Sequence, residues 1–158
     1  MNTKPKKTYK ILVASGVNLD LLGKRQPEIY GSQSLSDVHD SLSASVSSLE
    51  EFFQSKISLH FFQSNNEYEL LTEISKEWDG AVINPGAWTH TSLALADRLA
   101  GLSLPFAEVH ISNLSQRESV RKNSFTAPVA AGVVYGFGVE SYHTGLFGLL
   151  SYLKKLDS

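Results

Sequence analysis

Residues 80–102 read GAVINPGAWTHTSLALADRLAGL, and this stretch decides the fold that the sequence predicts. Its first part, GAVINPG, is a short apolar run that ends in Pro-Gly, which is typical of a buried β-strand. Its second part has helical spacing of apolar residues from about Thr91 to Leu102, and Gly101 stands where a helix C-cap is expected. A strand followed directly by a helix is the repeating unit of an α/β protein.

The same alternation of strand and helix continues along the rest of the chain. Four further apolar runs predict strands: YKILVAS (9–15), ISLHFFQS (57–64), FAEVHIS (106–112) and part of PVAAGVVYGFG (128–138). Segments with helical periodicity separate them, and Ser34 or Ser36 could cap the first helix. Five nearly continuous apolar strands predict an α/β fold, a flavodoxin-like, doubly wound, five-stranded parallel sheet with helices on both faces.

Composition limits what else the chain can be. Its 158 residues, 42% of them hydrophobic, fit one domain, placed at residues 10–158 after a tail of residues 1–9 that we expect to be flexible. A formal charge of −2 without a basic stripe argues against nucleic acid as a partner. Without cysteine or an apolar run long enough for a signal peptide or a membrane span, we predict a cytoplasmic protein that has no membrane partner. No histidine pair has metal-site spacing, so no metal is predicted.

Uncharged polar residues stand where the predicted strands end. In a parallel sheet these carboxyl ends lie along one edge, where open α/β proteins bind their ligands. The residues at this edge offer hydroxyl, carboxamide and imidazole groups: Ser15, Asn18, Gln63, Ser64, Asn65, Asn84, Thr89, His90, His110, Ser112 and Asn113. Such groups suit a small polyhydroxylated or carbonyl ligand better than a nucleic acid or a protein.

Glu108 and His110 are the most informative pair of this edge. They lie two positions apart on one predicted strand, so their side chains point to the same face of the sheet. A carboxylate beside an imidazole fixes the tautomer of the ring and favours its protonated form, which a general acid requires. The alternative is a core histidine that a nearby carboxylate satisfies, but the position at a strand's carboxyl end favours function.

The segment after His110 allows two interpretations. Backbone N–H groups at the turn through Ile111, Ser112 and Asn113, together with the Ser112 hydroxyl, could bind a carboxylate. Ordinary capping of a helix by the serine or the asparagine explains the same residues equally well.

Two further sites also have both a functional and a structural interpretation. His90 could bind a ligand or lie at the surface, with Thr89 or Thr91 as the cap of the following helix. Arg117 and Arg121 lie four residues apart, on one face if their segment is helical, and surface charge is the usual role of such residues.

Four segments of the chain resemble the motifs of the type II 3-dehydroquinate dehydratases. The segment SGVNLDLLGKRQPEIYG (15–31) is similar to the family's opening motif. The other three motifs are similar to QSNNEYEL (63–70), INPGAWTHTSLALADRLAG (83–101) and EVHISNLSQRESVRKNSF (108–125). The resemblance covers almost the whole chain, and four motifs in the right order are far more specific than any one of them.

The resemblance implies a cofactor-free trans elimination of water from 3-dehydroquinate, which gives 3-dehydroshikimate through an enolate in the shikimate pathway. It implies that Tyr30 is the ionised base that removes the proton next to the ketone, and that Arg25 beside it favours ionisation. Asn18 matches the residue that holds a water against the enolate oxygen. His110 matches the general acid, and Glu108 matches the residue that orients it.

The resemblance also implies how the substrate is bound and how the chain assembles. The substrate-binding positions of the family match Asn84, His90, Asp97, Ile111, Ser112 and Arg121. The implied assembly is a homododecamer of four trimers, in which Asp97 reaches the site of a neighbouring subunit. The sequence departs from the family pattern at Ser15, Val17 and Gln26, where asparagine, proline and glutamate are usual. None of these carries the chemistry, although Ser15 and Val17 flank Asn18.

Two alternatives stand beside this hypothesis. Phosphoacceptor receivers and flavin carriers share the fold. However, Ser15 and Asn84 stand where a receiver needs acidic residues, and NLDLLGKRQP is a poor phosphate loop. The other alternative is a family member that has lost activity and serves as a binding or structural oligomer, because two departures lie next to Asn18.

Overall fold

The computed structural model describes residues 7–24 and 32–158, and its centre is a five-stranded sheet in which all neighbouring strands are parallel. The strands are β1 (Thr8–Ser15), β2 (Lys56–Gln63), β3 (Gly80–Asn84), β4 (Phe106–His110) and β5 (Gly132–Tyr135). The helices are α1 (Leu35–Phe53), α2 (Glu67–Ile74), α3 (Leu93–Leu102) and α4 (Glu140–Leu156). The strand order is β2-β1-β3-β4-β5, so the direction of winding reverses between β1 and β3. The predicted fold class is confirmed.

Helices cover both faces of this sheet, which explains the nearly continuous apolar strands. Consecutive residues of β1 point to opposite faces. Ile11 and Val13 lie in one core cluster with the inner residues of α1 and α4, whereas Leu12 and Ala14 lie in a second cluster with those of α2 and α3. All four β1 residues are fully buried. Among the described residues, no helix combines the length and apolar character that crossing a bilayer requires.

The first two elements begin close to where the sequence predicts. β1 starts at Thr8, so Thr8 and Tyr9, the last two residues of the predicted tail, belong to the sheet. Ser34 rather than Ser36 caps α1. Its side chain accepts the backbone N–H of Asp37, and the Asp37 carboxylate accepts the Ser34 N–H in return.

α3 begins at Leu93, close to the predicted start at about Thr91, but its predicted cap is wrong. The helix is capped by Ser92, whose Oγ accepts the Leu95 N–H at 2.9 Å, so neither Thr89 nor Thr91 is its cap. A 3₁₀ turn, Gly86–His90, fills the space between β3 and α3. This turn directs Thr89 into the interior, where the residue is fully buried.

α3 ends at Leu102, as the sequence predicts, but the predicted C-terminal cap is wrong. Gly101 lies within the helix, and the left-handed residue that ends it is Ser103, with a φ of 51°. The Ser103 N–H bonds to the carbonyl of Ala100, which closes the last turn two residues later than the glycine suggests. A glycine near a helix end is compatible both with the last helical turn and with the left-handed position after it, so the glycine alone does not determine where the helix ends.

Candidate active site

A cavity of about 100 Å³ opens at the carboxyl edge of the sheet, beside the point where the strand order reverses. Its walls come from the ends of β1, β3 and β4 and from the turns that follow them. It brings together seven of the site residues that the sequence predicts: Asn18, Asn84, His90, His110, Ile111, Ser112 and Arg121. Val17, Gly86 and Arg117 also line it.

Glu108 and His110 form a buried pair at the end of β4. The imidazole Nε2 lies 2.6 Å from Oε1 of a fully buried carboxylate. Burial by itself disfavours the charge, but hydrogen bonds from His110, Thr126 and Thr89 outweigh it and hold the pKa of the Glu108 carboxyl below its usual value. An ionised carboxylate can only accept, so Nε2 donates to it and Nδ1 is the ring nitrogen left for a ligand.

Three hydroxyl groups that the sequence does not predict to be site residues surround the Glu108 carboxylate. Thr89 Oγ1 donates to Oε1 and Thr126 Oγ1 donates to Oε2, each at 2.7 Å. Ser124 Oγ lies 2.7 Å from Thr89 Oγ1. Thr89 has the sequence environment of a helix cap, and the segment containing the other two has no periodicity, so no local signal identifies them.

The end of β1 holds Asn18 in a left-handed conformation, with a φ of 65° that asparagine tolerates better than most residues. Its N–H donates to Oδ1 of Asn65 at 2.7 Å. The Val17 carbonyl lies so close to Gly86 that a Cβ there would be only 2.8 Å from the carbonyl oxygen. Asn18 lines the cavity even though valine precedes it where the resemblance leads us to expect proline.

Ser15, which stands where the family usually has asparagine, is fully buried and contacts α4. Its Oγ lies 2.9 Å from the hydroxyl of Tyr142, which also hydrogen-bonds the Asn84 side chain. Burial raises the pKa of Tyr142 to about 12, although both hydrogen bonds act in the opposite direction. Oδ1 of Asn84 accepts the Gly86 N–H at 3.1 Å, so the carboxamide is held from behind on two sides.

Arg117 and Arg121 reach the cavity from two short 3₁₀ turns rather than from one face of an α-helix. Glu118 lies between them and accepts from Nε of each arginine, at 3.2 Å and 3.1 Å. Its own backbone N–H and these two guanidinium groups lower the pKa of Glu118 to about 2. Arg117 Nη1 also donates to the Ser112 hydroxyl at 3.3 Å. Two guanidinium groups and one carboxylate thus leave a single net positive charge at this end of the cavity.

His90 is fixed to the segment that precedes β5. Its Nδ1 lies 2.6 Å from the carbonyl of Asn123, so Nδ1 donates there and Nε2 is the atom that can accept from a ligand. Next to it, the Phe125 N–H donates to the Thr89 carbonyl at 2.7 Å. The capping alternative for Asn113 is also realised, because its Oδ1 accepts the Ser115 N–H.

One predicted site residue that the structure describes lies away from this cavity. Asp97 lies exposed on α3 and lines a separate surface depression. Arg25 and Tyr30, together with the departure at Gln26, lie outside the described residues.

The family of the chain follows from comparison with known proteins. The family described as dehydroquinase class II matches residues 9–150. The chain belongs to this family. Proteins named 3-dehydroquinate dehydratase from Gloeothece citriformis (strain PCC 7424) and Prochlorococcus marinus (strain MIT 9515) are 44% and 46% identical to it. The matches cover 95% and 91% of this class II dehydroquinase and 97% of each relative.

Solved structures of the class II dehydroquinases agree. The type II dehydroquinase from Butyrivibrio crossotus DSM 2876 has a TM-score of 0.83 at 37% identity, over 90% of this chain and 97% of that one. The enzyme from Propionibacterium acnes has a TM-score of 0.73 at 32% identity, over 95% of this chain and 99% of that one. The resemblance drawn from the four motifs is confirmed.

The site of this class II dehydroquinase has its polar groups on separate walls. Asn18 follows β1 and His110 ends β4, with β3 between the two strands. Adjacent strands lie about 4.8 Å apart, so the two strand ends are separated by roughly 10 Å, which leaves room for a small molecule between them. Such an arrangement can protonate one side of a ligand while hydrogen bonds stabilise negative charge on the other.

Proposed function

We propose that this chain is a 3-dehydroquinate dehydratase that removes water from 3-dehydroquinate by trans elimination through an enolate, as a step of the shikimate pathway. The observation that supports the reaction most directly is the buried Glu108–His110 pair beside a cavity that also contains Asn18 and two arginines. Family membership supports the substrate, because the relatives named 3-dehydroquinate dehydratase match nearly the full chain.

The first step is removal of the proton next to the ketone. Tyr30, as a phenolate, takes this proton, and Arg25 favours the phenolate by its positive charge. The electron pair moves to the ketone oxygen, and Asn18 holds a water that donates to the resulting enolate. The roles of Tyr30 and Arg25 rest on the match of residues 15–31 to the family's opening motif.

The second step breaks the carbon–oxygen bond of the leaving hydroxyl. The enolate returns its electron pair, the ketone and a new carbon–carbon double bond form, and the hydroxyl departs. Nδ1 of His110 gives its proton to the departing oxygen, so the product is water. Glu108 stabilises the imidazolium before this transfer, because Oε1 accepts from Nε2 at 2.6 Å.

Binding and assembly complete the proposal. The hydroxyl groups and the carboxylate of the substrate bind at the positions that the family resemblance implies: Asn84, His90, Ile111, Ser112 and Arg121 from one subunit, and Asp97 from its neighbour. The guanidinium of Arg121 attracts the substrate carboxylate. A homododecamer of four trimers and a cytoplasmic location belong to the same proposal and rest on the family resemblance alone.

An absorbance assay tests the proposed function. Purified protein mixed with 3-dehydroquinate is expected to generate the conjugated enone of the product at neutral to mildly alkaline pH. No signal above background would overturn the proposal and favour a family member without activity.

Tyr30→Phe tests the assigned base. We expect almost complete loss of kcat with substrate binding retained, because the ring remains and only the proton acceptor is removed. Tyr68→Phe is the matched control, since Tyr68 is 74% exposed on α2 and should keep wild-type turnover. Wild-type turnover by Tyr30→Phe would remove Tyr30 as the base.

A further inference from the structure

The carboxylate of Glu108 is enclosed by three hydroxyl groups that come from two distant parts of the chain. We call Thr89, Ser124 and Thr126 the hydroxyl cage. Thr89 Oγ1 and Thr126 Oγ1 each lie 2.7 Å from a different oxygen of Glu108, and Ser124 Oγ lies 3.5 Å from Oε1. The two threonines and Glu108 are essentially inaccessible to solvent, so water does not replace these contacts.

The direction of the hydrogen bonds follows from the chemistry of the groups. An ionised carboxylate only accepts, so both threonine hydroxyls point their single protons at Glu108. With its proton directed at Glu108, Thr89 Oγ1 accepts from Ser124 at 2.7 Å, and it also lies 2.7 Å from Thr126 Oγ1. Ser124 Oγ in turn accepts the backbone N–H of Ala127 at 2.8 Å. The cage is thus an ordered chain of donors that ends on the carboxylate.

Such a chain matters because a buried carboxylate is costly unless donors satisfy it. Hydrogen bonds to an ionised group are about twice as strong as those between neutral groups. Oε1 also accepts from His110 Nε2. The donors that hold the carboxylate therefore also determine where the oxygen that contacts the imidazole lies. A carboxyl that lost these donors would be protonated more easily, and a neutral carboxyl does not stabilise an imidazolium.

The cage is also connected to the cavity wall. Thr89 immediately precedes His90, which lines the cavity. The segment that contains Ser124 and Thr126 is fastened to the same turn by the bond from the Phe125 N–H to the Thr89 carbonyl. The residues that contact Glu108 and the residue that lines the cavity are therefore directly linked through the backbone.

We propose that Thr89, Ser124 and Thr126 are positioning residues for the elimination: they keep Glu108 ionised and aimed at Nε2 of His110, so that Nδ1 presents its proton to the leaving hydroxyl. This inference rests on the proposed function. It adds to that function three residues that do not touch the substrate and act through Glu108.

The test compares substitutions that differ only in the hydroxyl. Thr126→Val has nearly the same shape but no donor, and we expect kcat to fall about tenfold or more while KM changes less than about threefold. Thr126→Ser restores the donor and should recover most of the lost kcat. Thr72→Val is the matched control, because the Thr72 hydroxyl bonds only the Tyr68 carbonyl on the exposed side of α2. It should behave as the wild type.

If the wild-type protein converts 3-dehydroquinate and the two variants Thr126→Val and Thr126→Ser have equal kcat, the positioning role is overturned. The proposed function then remains intact. If Thr126→Val does not fold, Thr89→Val removes the donor to the other carboxylate oxygen and is read in the same way.

A measurement on the wild-type protein needs neither variant nor turnover. Nitrogen-15 NMR of the His110 ring at about neutral pH should show Nε2 protonated, as donation to an ionised carboxylate requires. An unprotonated Nε2 would contradict the inference even if the enzyme is active. Absence of turnover with a protonated Nε2 would instead contradict the proposed function alone.

Discussion

At the scale of single residues, Tyr142 shows how a buried hydroxyl makes the stability of the protein depend on pH. The side chain is fully buried on α4 and reaches Ser15 on β1 and Asn84 on β3. Burial raises the pKa of Tyr142 from 10.0 to about 12, so the folded protein binds this proton more tightly than the unfolded chain does. The contribution of the Tyr142 proton to the free energy of unfolding is complete below about pH 10 and is lost as the pH rises towards about 12.

We therefore expect the free energy of unfolding to fall by roughly 1–1.5 kcal/mol between about pH 9 and about pH 11 through Tyr142 alone. Tyr142→Phe cannot ionise and lacks this part of the slope. Chemical denaturation of both proteins at the two pH values measures it, and the destabilisation caused by the substitution should be smaller at the higher pH. An equal difference at both would show that the Tyr142 hydroxyl is not desolvated.

At the scale of elements, two glycines of one βα unit have opposite roles. Gly86 begins the 3₁₀ turn after β3 with a φ of 60°, and an added Cβ would lie 2.8 Å from the Val17 carbonyl. Gly101 has a helical conformation in α3, and nothing lies within 4 Å of an added Cβ. The first glycine lets the ends of β1 and β3 approach at the cavity, whereas the second only weakens a helix.

Alanine at the two positions separates these roles. Gly86→Ala should lower the free energy of unfolding by about 1–3 kcal/mol and raise KM, because strain displaces the wall that holds Asn18 and Asn84. Gly101→Ala should leave KM unchanged and raise the free energy of unfolding by up to about 1 kcal/mol, because alanine favours helix. Denaturant unfolding and steady-state kinetics measure both. Destabilisation by Gly101→Ala would mean that Gly101 is a left-handed cap after all.

At the scale of the whole molecule, one edge of the sheet is exposed and apolar. β5 lies at the end of the strand order, and large side chains on and near it are accessible to solvent: Val133, Tyr135, Phe137 and Tyr152. Phe137 is 67% exposed. Soluble proteins usually protect such edges, and further copies of the chain in the proposed dodecamer could do so.

The proposed assembly gives a mass that is easily measured. A dodecamer of the 17.4 kDa chain has a mass of about 210 kDa. Light scattering after size-exclusion chromatography should give this value, with a trimer as the first product of dissociation on dilution. A single species near 17.4 kDa would contradict the assembly and also the contribution of Asp97 to a neighbouring site.

Periodicity explains how much of this protein follows from its sequence alone. Apolar runs and helical spacing are local properties, so they determine the alternating strands and helices and the α/β class. The two-residue spacing of Glu108 and His110 is local too, because side chains two positions apart on a strand share a face, and the structure shows the two in contact. Together with the four motifs, these patterns were sufficient for the family.

Only the tertiary structure determined the contacts between segments that lie far apart in the chain. Thr89 looked like a helix cap, but the turn after β3 buries it against a carboxylate on β4. Ser124 and Thr126 belong to an irregular segment, and no periodic pattern states which way such residues point. Their partners depend on the order of strands in the sheet and on long-range packing. The sequence therefore predicted the Glu108–His110 pair, and only the structure showed which residues hold it.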